Sequence, residues 1–308
     1  MDSQIVIEKK ASIIQSGQLF KRKKRPMDIL AYIGIYASAA FAVLLLVGII
    51  GYVVYNGYSM ISWDFLTTVT SVINGTVGIA GNIVNTLYLI LLTMLIATPI
   101  GIGAAVYLNE YAKPGKLVTA IEFATQILSG IPSIIFGLFG MVFFGQGIIK
   151  ELGLGYSILT GALTMVLMVL PLVIRNTQEA LKTVPDSYRQ GAVGLGTGKW
   201  YMIRTILLPS AMPRIITGVI LAIGRIVGES AALLFTAGSS KLMPASFDQM
   251  FEKMFQSGGT LTIQLYLSMS KGEYNVAFGI AVVLLIIVFL INMATKLLAK
   301  KFDVAARD

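Results

Sequence analysis

Long apolar stretches recur along this chain and are separated by short polar segments. About 20 apolar residues, rising 1.5 Å each, are needed to cross the roughly 30 Å hydrocarbon core of a bilayer. Six stretches of that size are free of charged residues or nearly so: residues 29–55, 83–108, 123–144, 156–174, 215–237 and 274–295. The pattern predicts an all-α, polytopic membrane protein with six transmembrane helices.

The distribution of charge predicts the orientation of these helices. With the amino terminus inside, nearly all Lys and Arg fall in four cytoplasmic segments, which are residues 1–28, the loop near Lys113, residues 175–214 and residues 299–308. The opposite side carries only a mixture of both signs: Lys150, Lys241, Lys253, Lys271, Asp64, Glu151, Asp248, Glu252 and Glu273. This is the positive-inside pattern, so we expect two cytoplasmic tails flanking a membrane domain at 29–298. A basic face for nucleic acid explains the asymmetry less well.

Composition restricts the chemistry of the chain. Hydrophobic residues make up 56% of it and charged residues only 13%, which fits a bilayer environment, and the first apolar stretch is expected to be an uncleaved anchor. The sequence has no Cys and no His, which excludes disulfides, thiol chemistry, a histidine base and most zinc sites. No serine has an obvious base partner, so an intramembrane hydrolase is disfavoured. We expect a non-catalytic membrane subunit.

Prolines interrupt three of the predicted spans. Pro99, Pro132 and Pro171 lie in spans two, three and four, where a missing donor and a ring clash kink a helix. Around Pro132 the sequence Ser-Gly-Ile-Pro-Ser adds the hydroxyls of Ser129 and Ser133. Such a segment suits close helix packing and a polar substrate pathway equally well.

The fifth predicted span contains two charged residues in its middle. Arg225 and Glu229 are four residues apart and are expected to share one helical face with Gly218, Ala222 and Ala232. A charge at mid-membrane costs about 2.5–3.5 kcal/mol on insertion scales, so an idle pair would be unusual. One hypothesis is that Arg225 contacts an oxyanion in transit while Glu229 holds the arginine. The alternative is a clamp between helices or to a partner subunit.

Arg175 lies at the end of the fourth span, with Glu179 one turn later. Topology and i,i+4 pairing are sufficient to explain this arginine. Contact with a substrate is the alternative.

The connection at residues 175–214 is long for a compact bundle, and connections of this length are usually functional. Pro185 and Asp186 predict a helix start, and the glycines that follow predict its end. The predicted elements are a helix with Tyr188, Ala192 and Leu195 on one face, a bend at Gly194, Gly196 and Gly198, and a short amphipathic helix with Trp200, Ile203 and Leu207 that Pro209 stops.

The sequence Gly-Leu-Gly-Thr-Gly-Lys in this loop is not a phosphate-binding P-loop. The motif requires glycine where this chain has Val193, and Ser or Thr where it has Trp200. We therefore expect no ATPase site on this chain.

The spacing of the same loop resembles the EAA loop of ABC-importer permeases, E-A-A, three residues, G, nine residues, I-x-L-P. Gln190-Gly-Ala192, Gly196 and Ile206-Leu-Leu-Pro209 stand at the corresponding positions, with Gln190 in place of glutamate and Gly191 in place of alanine. The resemblance implies a type I ABC importer permease fold. It also implies that an ATPase docks on this loop, and the residues expected to take part are Gln190, Gly191, Ala192, Gly196, Trp200, Ile206, Leu208 and Pro209.

Three further segments look like the PstA-type permeases of bacterial phosphate importers: residues 170–181, Ser129 to Ser133, and above all residues 225–238. The resemblance implies a cell-membrane heterodimer with a second permease, two ATP-binding subunits that carry ATP and Mg²⁺, and an extracytoplasmic phosphate-binding protein. It implies no cofactor on this chain. A permease for sulfate, molybdate or phosphonate remains open, as does an ion-gradient-driven transporter with Glu229 as a proton relay.

Overall fold

The computed structural model describes residues 26–71, 75–147, 153–243 and 249–301. The chain divides into a unit that ends at Tyr52 and a unit that begins at Val53. The predicted tails at 1–28 and 299–308 lie almost wholly outside the described residues. So do the charges predicted at Lys150, Glu151 and Asp248.

The first helix, α1, is almost entirely apolar. It runs over Pro26–Gly57, 32 residues, and covers the first predicted span. Large side chains such as Phe41, Leu44 and Leu46 are exposed along it. This exposure is expected of a helix whose solvent is lipid.

The remaining elements are mostly helical. The exception is a small antiparallel hairpin, with Val69 opposite Ile79. In chain order the elements are α2 Trp63–Thr67, β1 Val69–Ser71, β2 Thr76–Ile79, α3 Ala80–Val106, α4 Lys116–Gly130, α5 Ser133–Gly140, α6 Ile158–Lys182, α7 Asp186–Gly194, α8 Lys199–Met202, α9 Leu208–Val227, α10 Ala231–Thr236, α11 Gln249–Lys253, α12 Leu261–Ser270 and α13 Tyr274–Lys301. Single π-helical turns follow α3, α5 and α8, at Tyr107–Tyr111, Met141–Gly145 and Ile203–Leu207.

The six-span prediction is confirmed, with one span broken. Five helices of the described chain are long and apolar enough to cross a membrane, and α4 with α5 makes the sixth. These two helices meet at 105°, so the span predicted at 123–144 with a kink at Pro132 is broken into two helices. Ile131 is extended because the ring of Pro132 disfavours helical backbone before it. The helices continue through Pro99 and Pro171.

The predicted span at 215–237 is also not one helix. The helix α9 ends at Val227, and α10 begins only at Ala231. Between them the carboxylate of Glu229 accepts a hydrogen bond from the backbone N–H of Ala232, at 3.0 Å. A side chain that binds a free N–H in this way favours a new helix start over continuation of the old helix.

The main hydrophobic core lies where α3, α5, α6, α9, α10 and α12 pack together, with Leu89, Met165 and Ile226 among its fully buried residues. Glycine allows very close helix contacts here. A Cβ at Gly101 would lie 2.6 Å from a methyl carbon of Val173, and one at Gly137 would lie 2.8 Å from the Cα of Ala232. Close approach through small residues is typical of membrane helix packing.

A second, smaller core lies beneath the 175–214 connection. It joins the end of α3, the end of α6 and both helices of the connection. We call it the loop core, and its buried members are Val106, Ala180, Leu181, Val184, Ala192, Met202, Ile203, Leu207, Ala211 and Ile215. The connection is therefore packed against the ends of membrane helices and has apolar contacts of its own.

Candidate functional site

The helix–bend–helix predicted for the connection is present. The helix α7 begins at Asp186 and ends at Gly194, and α8 begins at Lys199. Gly196 has φ +72°, a left-handed conformation that glycine adopts without cost. Its N–H donates to the carbonyl of Val193 at 2.9 Å, and that of Thr197 donates to the carbonyl of Ala192 at 3.1 Å. These two bonds close the bend in the manner of a helix C-cap.

The two faces of the connection differ in exposure. Ala192 lies in the loop core, whereas Gln190 and Gly191 on the same helix are exposed. The apolar side chains of Leu195 and Trp200 are 85% and 61% exposed. Of the three residues predicted to share one face, Tyr188, Ala192 and Leu195, only Ala192 is buried, and Tyr188 is about half exposed. Trp200 likewise lies outside the loop core that contains Ile203 and Leu207.

Pro209 does not stop the second helix, contrary to the sequence prediction. Residues Lys199–Val227 form one 29-residue helical segment. A π-helical turn ends at Leu207, two residues before Pro209, and such wider turns accommodate a residue that breaks the regular bonding. Ile206 and Leu208 are half-buried and pack against the loop core, while Pro209 is half-buried at the start of α9.

An ion pair that the sequence analysis missed anchors the connection. Arg189 lies 2.9 Å from a carboxylate oxygen of Glu110, in the π-helical turn that ends α3. The carboxylate side chain is only 6% exposed. Its hydrogen bond raises the pKa of Arg189 above the ordinary value, despite partial burial of the guanidinium. The sequence gives one indication of this pair. Glu110 is acidic, yet it lies at the cytoplasmic end of a predicted span, where basic residues are expected.

The predicted Arg225–Glu229 pair is not formed. Because α9 ends at Val227, the two residues do not share a helical face with Ala232. The carboxylate of Glu229 caps α10, and its carbonyl accepts a hydrogen bond from Thr262 Oγ1 at 2.8 Å. Arg225 is half-buried and makes no hydrogen bond or ion pair within the described residues.

The segments around Ser133 and Glu229 are brought together by the two broken spans. Ser133 is the first residue of α5, and α5 packs directly on α10 through Gly137 and Ala232. Ser129 is exposed near the end of α4, and its hydroxyl donates to the carbonyl of Gln126 at 2.7 Å. The short helices α5 and α10, each of which follows a break in a membrane span, thus contact each other.

Arg175 is exposed and lines a separate cavity of about 330 Å³ between α4 and α6. The other lining residues are Glu122, Thr125, Gln126, Gln178, Glu179 and Lys182. Within the described residues Arg175 and Glu179 form no ion pair, so the predicted i,i+4 pairing is wrong. Two basic and two acidic side chains leave the cavity formally neutral.

Two solved transporters share this fold. A bacterial alginate ABC transporter, solved with an alginate-bound periplasmic protein, matches with a TM-score of 0.67 at 15% identity, over 91% of this chain and 96% of that one. The MetNI methionine transporter, solved in inward-facing conformations, matches with a TM-score of 0.53 at 20% identity, over 73% and 94%. At these identities the likeness shows the fold alone.

The membrane helices, the broken spans and the bent surface connection define a permease subunit of a type I ABC importer. Members of this class function with ATPase and binding-protein partners. The chain belongs to the family of binding-protein-dependent transport system inner membrane components, whose model matches residues 97–307.

Curated relatives agree with this assignment. A probable ABC transporter permease protein, YqgI, of Bacillus subtilis is 36% identical over 84% of this chain and 90% of its own length. The phosphate transport system permease protein PstA of Xylella fastidiosa is 33% identical over 79% and 82%. The PstA protein of Yersinia pestis is 31% identical over 94% and 96%. The chain is a multi-pass membrane protein of this family.

Proposed function

We propose that this chain is a permease subunit of an ATP-driven importer of inorganic phosphate and forms half of the translocation pathway. The observation that carries the proposal is the bent connection, which buries one side in the loop core and exposes Leu195 and Trp200 on the other. Exposed apolar side chains beside a rigid bend suit a docking surface. Phosphate is supported by the relatives named as phosphate permeases, which match most of this chain.

The proposed complex has four kinds of component. A second, homologous permease completes the pathway, a dimer of ATP-binding subunits docks at the bend, and an extracytoplasmic protein delivers phosphate. ATP and Mg²⁺ belong to the ATP-binding subunits, and this chain holds no cofactor. Both termini and the bend lie on the cytoplasmic side of the cell membrane, as the charge distribution predicts.

The docking residues are the eight predicted from the sequence, now with separate duties. Gln190, Gly191 and Trp200 are exposed and contact the ATPase directly. Gly196 sets the bend between them. The remaining four residues support this surface from beneath, since they are buried or half-buried: Ala192, Ile206, Leu208 and Pro209.

Phosphate uptake against the membrane potential and a concentration gradient requires an input of free energy. Moving two negative charges inward against roughly 100 mV costs about 4.6 kcal/mol. A roughly thousandfold concentration gradient adds about 4.1 kcal/mol. Because this chain has no P-loop, the energy must come from another subunit.

For the substrate pathway we propose Arg225 as the residue that contacts phosphate. Its guanidinium is half-buried and has no partner among the described residues, and it can offer two parallel donors to an oxyanion. Glu229 acts indirectly, because its carboxylate fixes the start of α10. Ser133, at the start of the neighbouring short helix, and Ser129 line the same pathway. Arg175 lines another part of the proposed pathway, the cavity between α4 and α6.

Transport by the purified complex tests the proposal. The chain is tagged, purified with its co-expressed partners and reconstituted in vesicles that enclose ATP, and uptake of radiolabelled phosphate is measured with the binding protein outside. We expect uptake that requires ATP and resists competition by sulfate, molybdate and phosphonate. Competition by one of these anions would assign that anion instead. Uptake that persists without ATP, under an imposed proton gradient, would contradict an ATP-driven importer and favour the secondary transporter with Glu229 as relay.

A further inference from the structure

The π-helical turn Tyr107–Tyr111, at the end of α3, contacts both helices of the bent connection. Glu110 pairs with Arg189 of α7, before the bend, at 2.9 Å. The neighbouring residue, Tyr111, has its ring centroid 4.9 Å from the ammonium nitrogen of Lys199, the first residue of α8. That distance is within the range of cation–π attraction. Two adjacent side chains therefore hold the two sides of Gly196.

Arg189 uses its donors on three different elements. Nη2 donates to Glu110 at 2.9 Å and to the carbonyl of Leu181 at 3.1 Å, and Nη1 donates to the carbonyl of Val184 and to Asp186 at 3.1 and 3.0 Å. The end of α6, the start of α7 and the end of α3 thus meet at one guanidinium. Its planar fork of donors fixes their relative orientation in a way that a single ammonium could not.

The acceptor at this junction is itself held in place. The carboxylate oxygen of Glu110 that binds Arg189 also accepts a hydrogen bond from Asn109 Nδ2 at 2.7 Å. Beyond the π-helical turn, α3 runs into the main core, where Leu89 and Ala97 are fully buried and Gly101 packs on Val173 of α6. A displacement of Glu110 consequently moves a helix that is packed deep in the main core.

We propose that Glu110 and Tyr111 link the bent connection to α3, and that Arg189 is the positioning residue through which movement of the ATPase is transmitted to α3 and the main core. The inference rests on the proposed function, because it requires an ATPase at the bend. It goes further in naming the receiving helix and the side chains that transmit the movement. An alternative role, in which the pair only keeps the connection folded, predicts a different experimental result.

The distinguishing measurement is the ratio of substrate transported to ATP hydrolysed, made on the intact reconstituted complex. Glu110→Gln keeps the shape and one acceptor but removes the charge. We expect this variant to retain the ATPase and to hydrolyse ATP, with transport per ATP reduced at least fivefold. Arg189→Lys keeps the charge of the pair but not the fork of donors, so its ratio should fall less than that of Glu110→Gln. Glu252→Gln, the same substitution at an exposed site on α11, is the matched control and should leave the ratio unchanged.

Each result decides between the two roles. An unchanged ratio in Glu110→Gln would overturn the proposal, and so would loss of the ATPase from that complex, since the pair would then be a structural support only. If Glu110→Gln fails to fold, Tyr111→Leu against Tyr111→Phe provides the test, because the ring is partly exposed and only leucine removes the cation–π contact. Equal ratios in these two variants would contradict the link.

Failure of the proposed function is recognised separately. A wild-type complex that carries another oxyanion contradicts the phosphate assignment alone, and the ratio is then measured with that anion. A wild-type chain that binds no ATPase contradicts both proposals, because no source of movement would remain.

Discussion

The left-handed backbone at Gly196 gives a direct test of the bend as the ATPase-docking element. Gly196 has φ +72°, and a Cβ added there would meet no atom within 4 Å. Replacement by alanine therefore introduces no steric clash, and the cost is conformational only. That cost is about 1–2 kcal/mol for an L-residue, or a factor of about 5–30 in the population of the bent form.

The assay titrates purified ATPase onto the tagged complex in detergent. We expect Gly196→Ala to weaken retention of the ATPase by about 5–30-fold and Gly196→Asn to weaken it least, because asparagine tolerates left-handed backbone. Gly196→Asp should abolish retention, because aspartate tolerates this backbone equally but adds a negative charge at the exposed bend. The protein should remain in the membrane in all three cases.

The matched control for this series is Gly198→Ala. Gly198 also has open space around it, but its φ is −67°, which alanine adopts readily. This variant should bind the ATPase as the wild type does. Equal binding by Gly196→Ala and Gly198→Ala would refute the reasoning, since the left-handed turn would then have no part in docking.

Three further predictions concern residues outside the bent connection. Arg225→Gln should stop phosphate uptake while the complex still assembles, and loss of the protein from the membrane would instead support a clamp between helices. Gly137→Val should destabilise the protein by about 1–3 kcal/mol, seen as a lower melting temperature in detergent, because the added Cβ would lie 2.8 Å from the Cα of Ala232; an unchanged melting temperature would contradict this contact. Burial lowers the pKa of Lys253 below the ordinary 10.5, and its ammonium donates to the carbonyl of Ser257. The folded state thus releases this proton at a lower pH than the unfolded state does, so the penalty is fully present below the folded pKa and is lost as pH rises from there to the unfolded value of 10.5. The stability of the wild type relative to Lys253→Met should therefore increase as the pH is raised toward 10.5, and a flat difference would contradict the burial.

Sequence reasoning succeeded where one physical requirement dominates. Lipid requires long apolar helices, so the apolar stretches located four of the six membrane spans closely. Glycine is the residue that best tolerates left-handed backbone, so the bend at Gly196 was also visible. Pro185 and Asp186 gave the start of α7 correctly, because proline and an acidic first turn suit a helix N-terminus.

Local competition and long-range contacts could not be read in this way. A count of apolar residues does not distinguish one helix from two, and the cap formed by Glu229 determines the break before α10. Pro209 was expected to end a helix, but a π-helical turn accommodates it. Arg189 and Glu110 are separated by 79 positions, so their pairing depends on how α3 and α7 pack.

Because the helix from Lys199 to Val227 is uninterrupted, a small tilt at the bend causes a large displacement at the far end of the helix. At 1.5 Å per residue its 29 residues extend about 44 Å, which is about the thickness of a membrane with its headgroups. Arg225 lies two residues before the far end. A tilt of about 5° at Lys199 would displace that end by about 4 Å, more than the length of a hydrogen bond. A small movement at the cytoplasmic surface would thus be enough to form or break the contact between Arg225 and an anion.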